Sequence, residues 1–102
     1  MSIAHASERE YHAAAHLLEG LWFASEHLYP EKNGIDWDGI ESSVPRSSGE
    51  VILVDLALTL WTGRSHADFI EAMRYLDDAN WRRFLEALEI ARPRALVSGE
   101  RP

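Results

Sequence analysis

The residues of this chain whose types and spacing suggest chemistry begin near its N-terminus. His5, Glu8, His12, His16, Glu19 and Glu26 recur at helical intervals and would share one face of a helix, with His27 at its edge. Histidines at i and i+4 can bring two imidazoles to one transition-metal ion, and Glu19, three residues past His16, can add a carboxylate oxygen. His12, His16 and Glu19 therefore read as a metal site, completed in one version by a second copy of the helix. The same imidazoles titrate near neutrality and would serve a pH sensor. Against both stands a solvated polar face. The residues between His12 and His16 are all alanine, so the HExxH pattern of zinc hydrolases is absent.

A second group is Ile35-Asp36-Trp37-Asp38-Gly39-Ile40-Glu41. Trp37 between Asp36 and Asp38 suits an anchor for a protein partner, because tryptophan is enriched at the centres of interfaces. The residue order does not fit a calcium loop, which needs glycine at its sixth position and glutamate at its twelfth. The competing expectation is that Ile35, Trp37 and Ile40 fold back to seal the bottom of a helical core. Trp22, Trp61 and Trp81 are expected in that core.

A third group is arginine: Arg74, Arg82, Arg83, Arg92 and Arg94 fall in the last 30 residues. Asn80, Arg82 and Arg83 open the final helical pattern, where a recognition helix would reach base edges. Asp77, Asp78, Glu86 and Glu89 interleave with them, and Arg82 and Glu86 are spaced for an ordinary helical ion pair. No phosphate-cradling glycine loop, nucleophile elbow or paired inward carboxylates stand out. No catalytic residue and no cofactor is assigned, and an enzyme is not expected.

The elements that must position these residues read as all-α. From Ile3 to Tyr29 there is no proline and one glycine, and Tyr11, Ala14, Leu18, Leu21, Trp22, Ser25, Leu28 and Tyr29 form one apolar arc. A helix of that length is a rod of roughly 39 Å. Such a rod outruns a small domain, which points to self-association through it. Residues 30–46 have no sustained period and read as an ordered loop. Ser47 and Glu50 form a capping box ahead of a nearly all-apolar run that ends at Gly63, a helix for the centre of the fold; Asp55, Thr59 and Thr62 make a thin polar stripe on it. Ser65, with Asp68 at the third position, opens a helix with Phe69, Met73 and Leu76 on one face. Asp77 or Asp78 caps the last, in which Trp81, Phe84, Leu85 and Leu88 share a face and which Pro93 ends. The expected architecture is a compact four-helix domain over 1–93, one long helix and three shorter capped ones, with a flexible tail at 94–102.

Composition narrows the class of function. The chain has 102 residues, no cysteine and a formal net charge of −7. Disulfides, zinc ribbons and thiol nucleophiles are thereby excluded. No apolar run is long enough to span a bilayer, and the N-terminus has no signal-peptide pattern, so a cytoplasmic domain is expected. Residues 1–50 hold 9 acidic and 3 basic side chains; residues 51–102 are close to neutral. That distribution disfavours nucleic-acid binding.

Ser48-Gly49-Glu50, Leu56-Ala57-Leu58-Thr59-Leu60-Trp61-Thr62-Gly63, Leu76-Asp77-Asp78-Ala79-Asn80 and Phe84-Leu85-Glu86-Ala87-Leu88 together resemble a pattern in small helical accessory proteins of bacteriophages and mobile elements of Gram-positive bacteria. Nine of the ten basic residues are arginine, as a high-GC coding sequence would favour. The resemblance implies a compact helical factor that works by binding and assigns no site residue. The leading expectation is a protein–protein interaction or regulatory module. Its surfaces would be the acidic face of Glu8, His12, His16, Glu19 and Glu26 and the loop of Asp36, Trp37 and Asp38. That face would meet a basic protein or occupy a nucleic-acid-binding groove in place of DNA. The alternatives are a helix-turn-helix-like DNA-binding regulator using Asn80, Arg82 and Arg83, and a metal-binding helical protein using His12, His16 and Glu19.

Overall fold

The computed structural model describes residues 4–43 and 47–92. The expected tail at 94–102 and the stop at Pro93 lie outside them. The chain folds as a mostly helical domain with four helices of at least seven residues, together with a very small sheet. Its elements are β1 (Ala4–His5), α1 (Glu8–Leu18), β2 (Leu28–Tyr29), β3 (Gly34–Ile35), α2 (Trp37–Glu41), α3 (Ser48–Thr62), α4 (Phe69–Tyr75) and α5 (Asp78–Ala91).

The single long first helix is not formed. α1 opens on a capping box, in which Ser7 Oγ accepts the Glu10 amide and Glu10 Oε1 accepts the Ser7 amide. It closes at Leu18, with Glu19 as its C-cap. The chain then turns tightly, the Leu21 amide donating to the Leu18 carbonyl and the Ala24 amide to the Leu21 carbonyl. Burial explains the break. On a continued helix Phe23 would point away from Leu17 and Leu21. By turning at Gly20 the chain buries Leu21, Phe23 and Ala24 together, each of the larger side chains contributing about 1.5–3 kcal/mol. Trp22 is left 70% exposed, against the expectation that it lies in the core.

Segment 25–35 holds a short 3₁₀ turn at Ser25–His27, β2, a second 3₁₀ turn at Pro30–Lys32, and β3. Asn33 takes the left-handed conformation that returns the chain, with φ at 49°. β3 lies between β1 and β2, antiparallel to both, pairing Ala4 with Ile35 on one side and Leu28 with Ile35 on the other. The strands are two residues each, too short to show alternation in sequence. They clip the start of α1 to the loop, which is ordered as expected across its described part.

α3 forms as expected, with the Ser47–Glu50 capping box at its start and Gly63, at φ 75°, as its left-handed C-cap. The polar stripe holds the next connection: Thr59 Oγ1 accepts the His66 amide, and Thr62 Oγ1 accepts the Arg64 amide. α4 starts later than the Ser65 cap would place it. Asp68 is its N-cap, Oδ1 accepting the amides of Ile70 and Glu71. Asp77 caps α5 by accepting the Asn80 amide.

The element at the centre is α1 rather than α3. It packs against both α3 and α5. Ala13, Ala14 and Ala15 are buried, and their small side chains let neighbours approach closely; Leu17 and Leu18 fill the space beyond them. Ile52, Leu53, Val54, Leu56 and Ala57 of α3, Phe84 and Ala87 of α5, and Ile35 and Ile40 from the loop complete the core.

Candidate interaction surface

The last two helices present more apolar surface than the core can cover. α4 buries Ala72 alone, and α5 buries Phe84 and Ala87. Outside that line Phe69 is 53% exposed, Ile70 53%, Met73 58%, Leu85 47% and Leu88 38%. Phe69 and Met73 on α4, and Leu85 and Leu88 on α5, belong to the apolar faces read from sequence, yet those faces are not covered. The helices are correctly amphipathic, but α1 is already covered on this side by Phe84 and Ala87, so only the centre of each apolar arc finds a partner. The Phe69 ring lies 5.8 Å from that of Phe84, and Trp81 lies 5.6 Å from Phe84 on its other side. Met73, Leu76, Asp78 and Trp81 line a shallow groove of about 280 Å³ between the helices. Phe69 thus neighbours Phe84, and Met73 faces Trp81 across the groove, while Leu85 and Leu88 follow Trp81 on the next turns of α5. Exposed apolar patches on monomers seldom exceed about 300–600 Å² without a binding role. On the far flank of α4, Ser48, Val51, Ile52, Asp55, Glu71 and Tyr75 line an open cleft of about 420 Å³.

The polar residues singled out from sequence are dispersed rather than gathered. Glu8 and His12 pair loosely at 3.8 Å on the exposed start of α1. His16 turns toward α5, its Nε2 2.8 Å from Glu86 Oε1. Glu19 is the C-cap of α1, and Glu26 sits in the 3₁₀ turn beyond the break, exposed beside His27. The stripe expected on one helix is therefore divided among three elements, with His5 in β1, Glu8 to Glu19 on α1 and its C-cap, and Glu26 in the 3₁₀ turn. Among the described residues no group of three or more His, Cys, Asp or Glu is arranged to hold a metal ion.

In the loop, Ile35 and Ile40 are fully buried and Trp37 is half-buried, its ring 5.7 Å from that of Trp61 in an edge contact. This is the sealing arrangement. The Trp37 Nε1 hydrogen is buried and has no acceptor among the described residues. Asp36, expected on a partner-binding surface, is only 5% exposed. It is spent on structure: Oδ1 accepts the Gly39 amide to cap α2, and Oδ2 faces His27 Nδ1 at 3.5 Å. Asp38 stays exposed.

Arg83, expected among base-reading residues, is also engaged. Its Nη1 donates to the His16 carbonyl at 2.6 Å, and its guanidinium lies over Gly20. It thereby satisfies an orphan carbonyl at the negative end of α1. Arg82 is exposed, and Asn80 is tied by its backbone to the Asp77 cap. The placements of Arg83 and His16 were not readable locally, because each depends on which residues of a distant helix arrive beside it. The apolar face did leave a signal, in the Phe69/Met73 and Trp81/Leu85/Leu88 spacings. Comparison with family models, with curated proteins and with solved structures returned no match.

Proposed function

We infer that this chain is a non-enzymatic interaction module whose working surface is the apolar face of α4 and α5. The observation that carries this reading is the exposure of Phe69, Ile70, Met73, Leu85 and Leu88 on adjacent helices. Five large apolar side chains together in water favour a protein that covers them. The earlier candidates lend less support: Asp36 and Trp37 serve the fold, and Arg83 serves the α1–α5 contact. The exposed acids Glu8, Glu19 and Glu26 fit a solvating role that keeps such a face in solution. A binding role also agrees with the accessory-factor setting that the sequence resembles.

A photo-crosslinking residue in place of Met73, incorporated in cells that express the protein, tests this reading. Expected is a discrete protein adduct that is absent when the same residue replaces exposed Arg9 on α1, and that is lost on adding Leu85→Lys. Equal labelling from both positions, or none from Met73, would overturn it.

A further inference from the structure

Along α5 the exposed apolar residues form part of a longer series. Asp78, Trp81, Leu85, Leu88 and Arg92 are separated by 3, 4, 3 and 4 residues. That is the heptad interval that keeps one seam in line for pairing with another helix. Asp78, Leu85, Leu88 and Arg92 are exposed and Trp81 is half-buried. The seam is about 21 Å long, has Leu85 at its midpoint, an acid at its N-terminal end and a base at its C-terminal end.

We propose that this seam is closed by the α5 of a second copy, running antiparallel about a two-fold axis at Leu85. The proposal rests on the reading of α4 and α5 as the working face and names what covers it. Its argument is charge complementarity. Antiparallel pairing about Leu85 sets Leu85 against its own equivalent and Asp78 against Arg92, seven residues to either side, with Trp81 and Leu88 meeting about one residue's rise out of level; each of the last two contacts occurs twice. On the polar flank of the same seam, Arg82 lies three residues before the midpoint and Glu89 four after it, so each comes within about one residue's rise of its opposite in the other copy. A parallel arrangement would instead align Asp78 with Asp78 and Arg92 with Arg92. Arg92 now pairs with Glu89 at 3.3 Å, both well exposed, a contact too weakly held to compete with a new partner. The other flank contributes apolar area. The Phe69 ring packs against that of Phe84, the residue next to the midpoint, and so adds to the apolar surface beside the seam. A two-fold interface of this kind needs one surface that complements itself, and this seam has that property in shape and in charge.

Sedimentation velocity of the full-length purified protein, from about 1 µM to about 500 µM, tests the proposal. A concentration-dependent dimer is expected. Leu85→Glu should leave a monomer throughout, with unchanged helical circular dichroism. Asp78→Arg or Arg92→Asp alone should weaken the dimer roughly tenfold or more, since each creates two repulsive contacts. Combined, they should restore association to within about threefold, which loss of helix stability alone would not do. A wild-type monomer at every concentration, a dimer indifferent to Leu85→Glu, or a double variant as weak as the single ones would overturn it. If the protein stays monomeric while Met73 crosslinks to a foreign protein, the second copy is excluded and the interaction reading stands. If the protein stays monomeric and Met73 yields no adduct, both fail.

Discussion

Gly39 is a position where one absent carbon decides a packing arrangement. A Cβ there would lie 2.5 Å from Cε1 of His27 and 2.6 Å from Oδ2 of Asp36. Neither neighbour has much room, since Asp36 is buried and held by the Gly39 amide while the His27 ring is largely covered. Gly39→Ala should therefore destabilise the fold by about 1–3 kcal/mol, read from urea unfolding. A variant as stable as the parent would mean that the His27–Asp36 contact yields freely. Tyr11 is a second residue with a measurable signature. Burial first, then the charges of Glu19 and Glu31, hold its phenol above the usual value of 10.0. In the unfolded chain the same phenol releases its proton earlier. Its contribution to stability is thus complete below about pH 10 and is lost as pH rises through the higher native value. Ultraviolet titration of the native protein should include a late-ionising phenol that is absent in Tyr11→Phe; a late phase unchanged in that variant would contradict it.

At the scale of elements, α1 is fastened to α5 by the Arg83–His16 carbonyl bond and the His16–Glu86 contact. Arg83→Met should cost about 1–3 kcal/mol in thermal unfolding, because a charged donor is lost and a helix-end carbonyl is left unmet. Arg74→Met, exposed on α4, should stay within about 0.5 kcal/mol. Equal losses at the two positions would remove the distinction between a fastening arginine and a solvent-facing one. The same contrast explains what was legible in advance. The Ser47 box, the Gly63 exit and the Asp77 cap were readable because each depends on residues within four positions of one another. The end of α1 was not, because Trp22 and Phe23 compete for the core and only the finished fold decides between them. Asp36 and Asp38 look equivalent in sequence; the inward turn of Asp36 follows from its cap to Gly39 and its meeting with His27. The apolar arcs of α4 and α5 were legible as arcs. Their exposure was not, since it depends on how much of each arc the rest of the fold can cover.

Across the whole molecule, charge and apolar surface divide between the two halves of the chain. The acidic excess belongs to residues 1–50, while the uncovered apolar residues of α4 and α5 lie in the nearly neutral second half. No helix of the described residues is long and apolar enough to cross a membrane. The central position of α1 also bears on the order in which the chain is made. His16 meets Arg83, which follows it by 67 residues, and α1 relies on Phe84 and Ala87 to cover one side. At about 5–20 residues per second, α1 leaves the ribosome several seconds before α5 exists. The earliest helix therefore waits for the last, and a nascent chain halted before α5 carries a half-covered core that a chaperone or protease can read as unfinished.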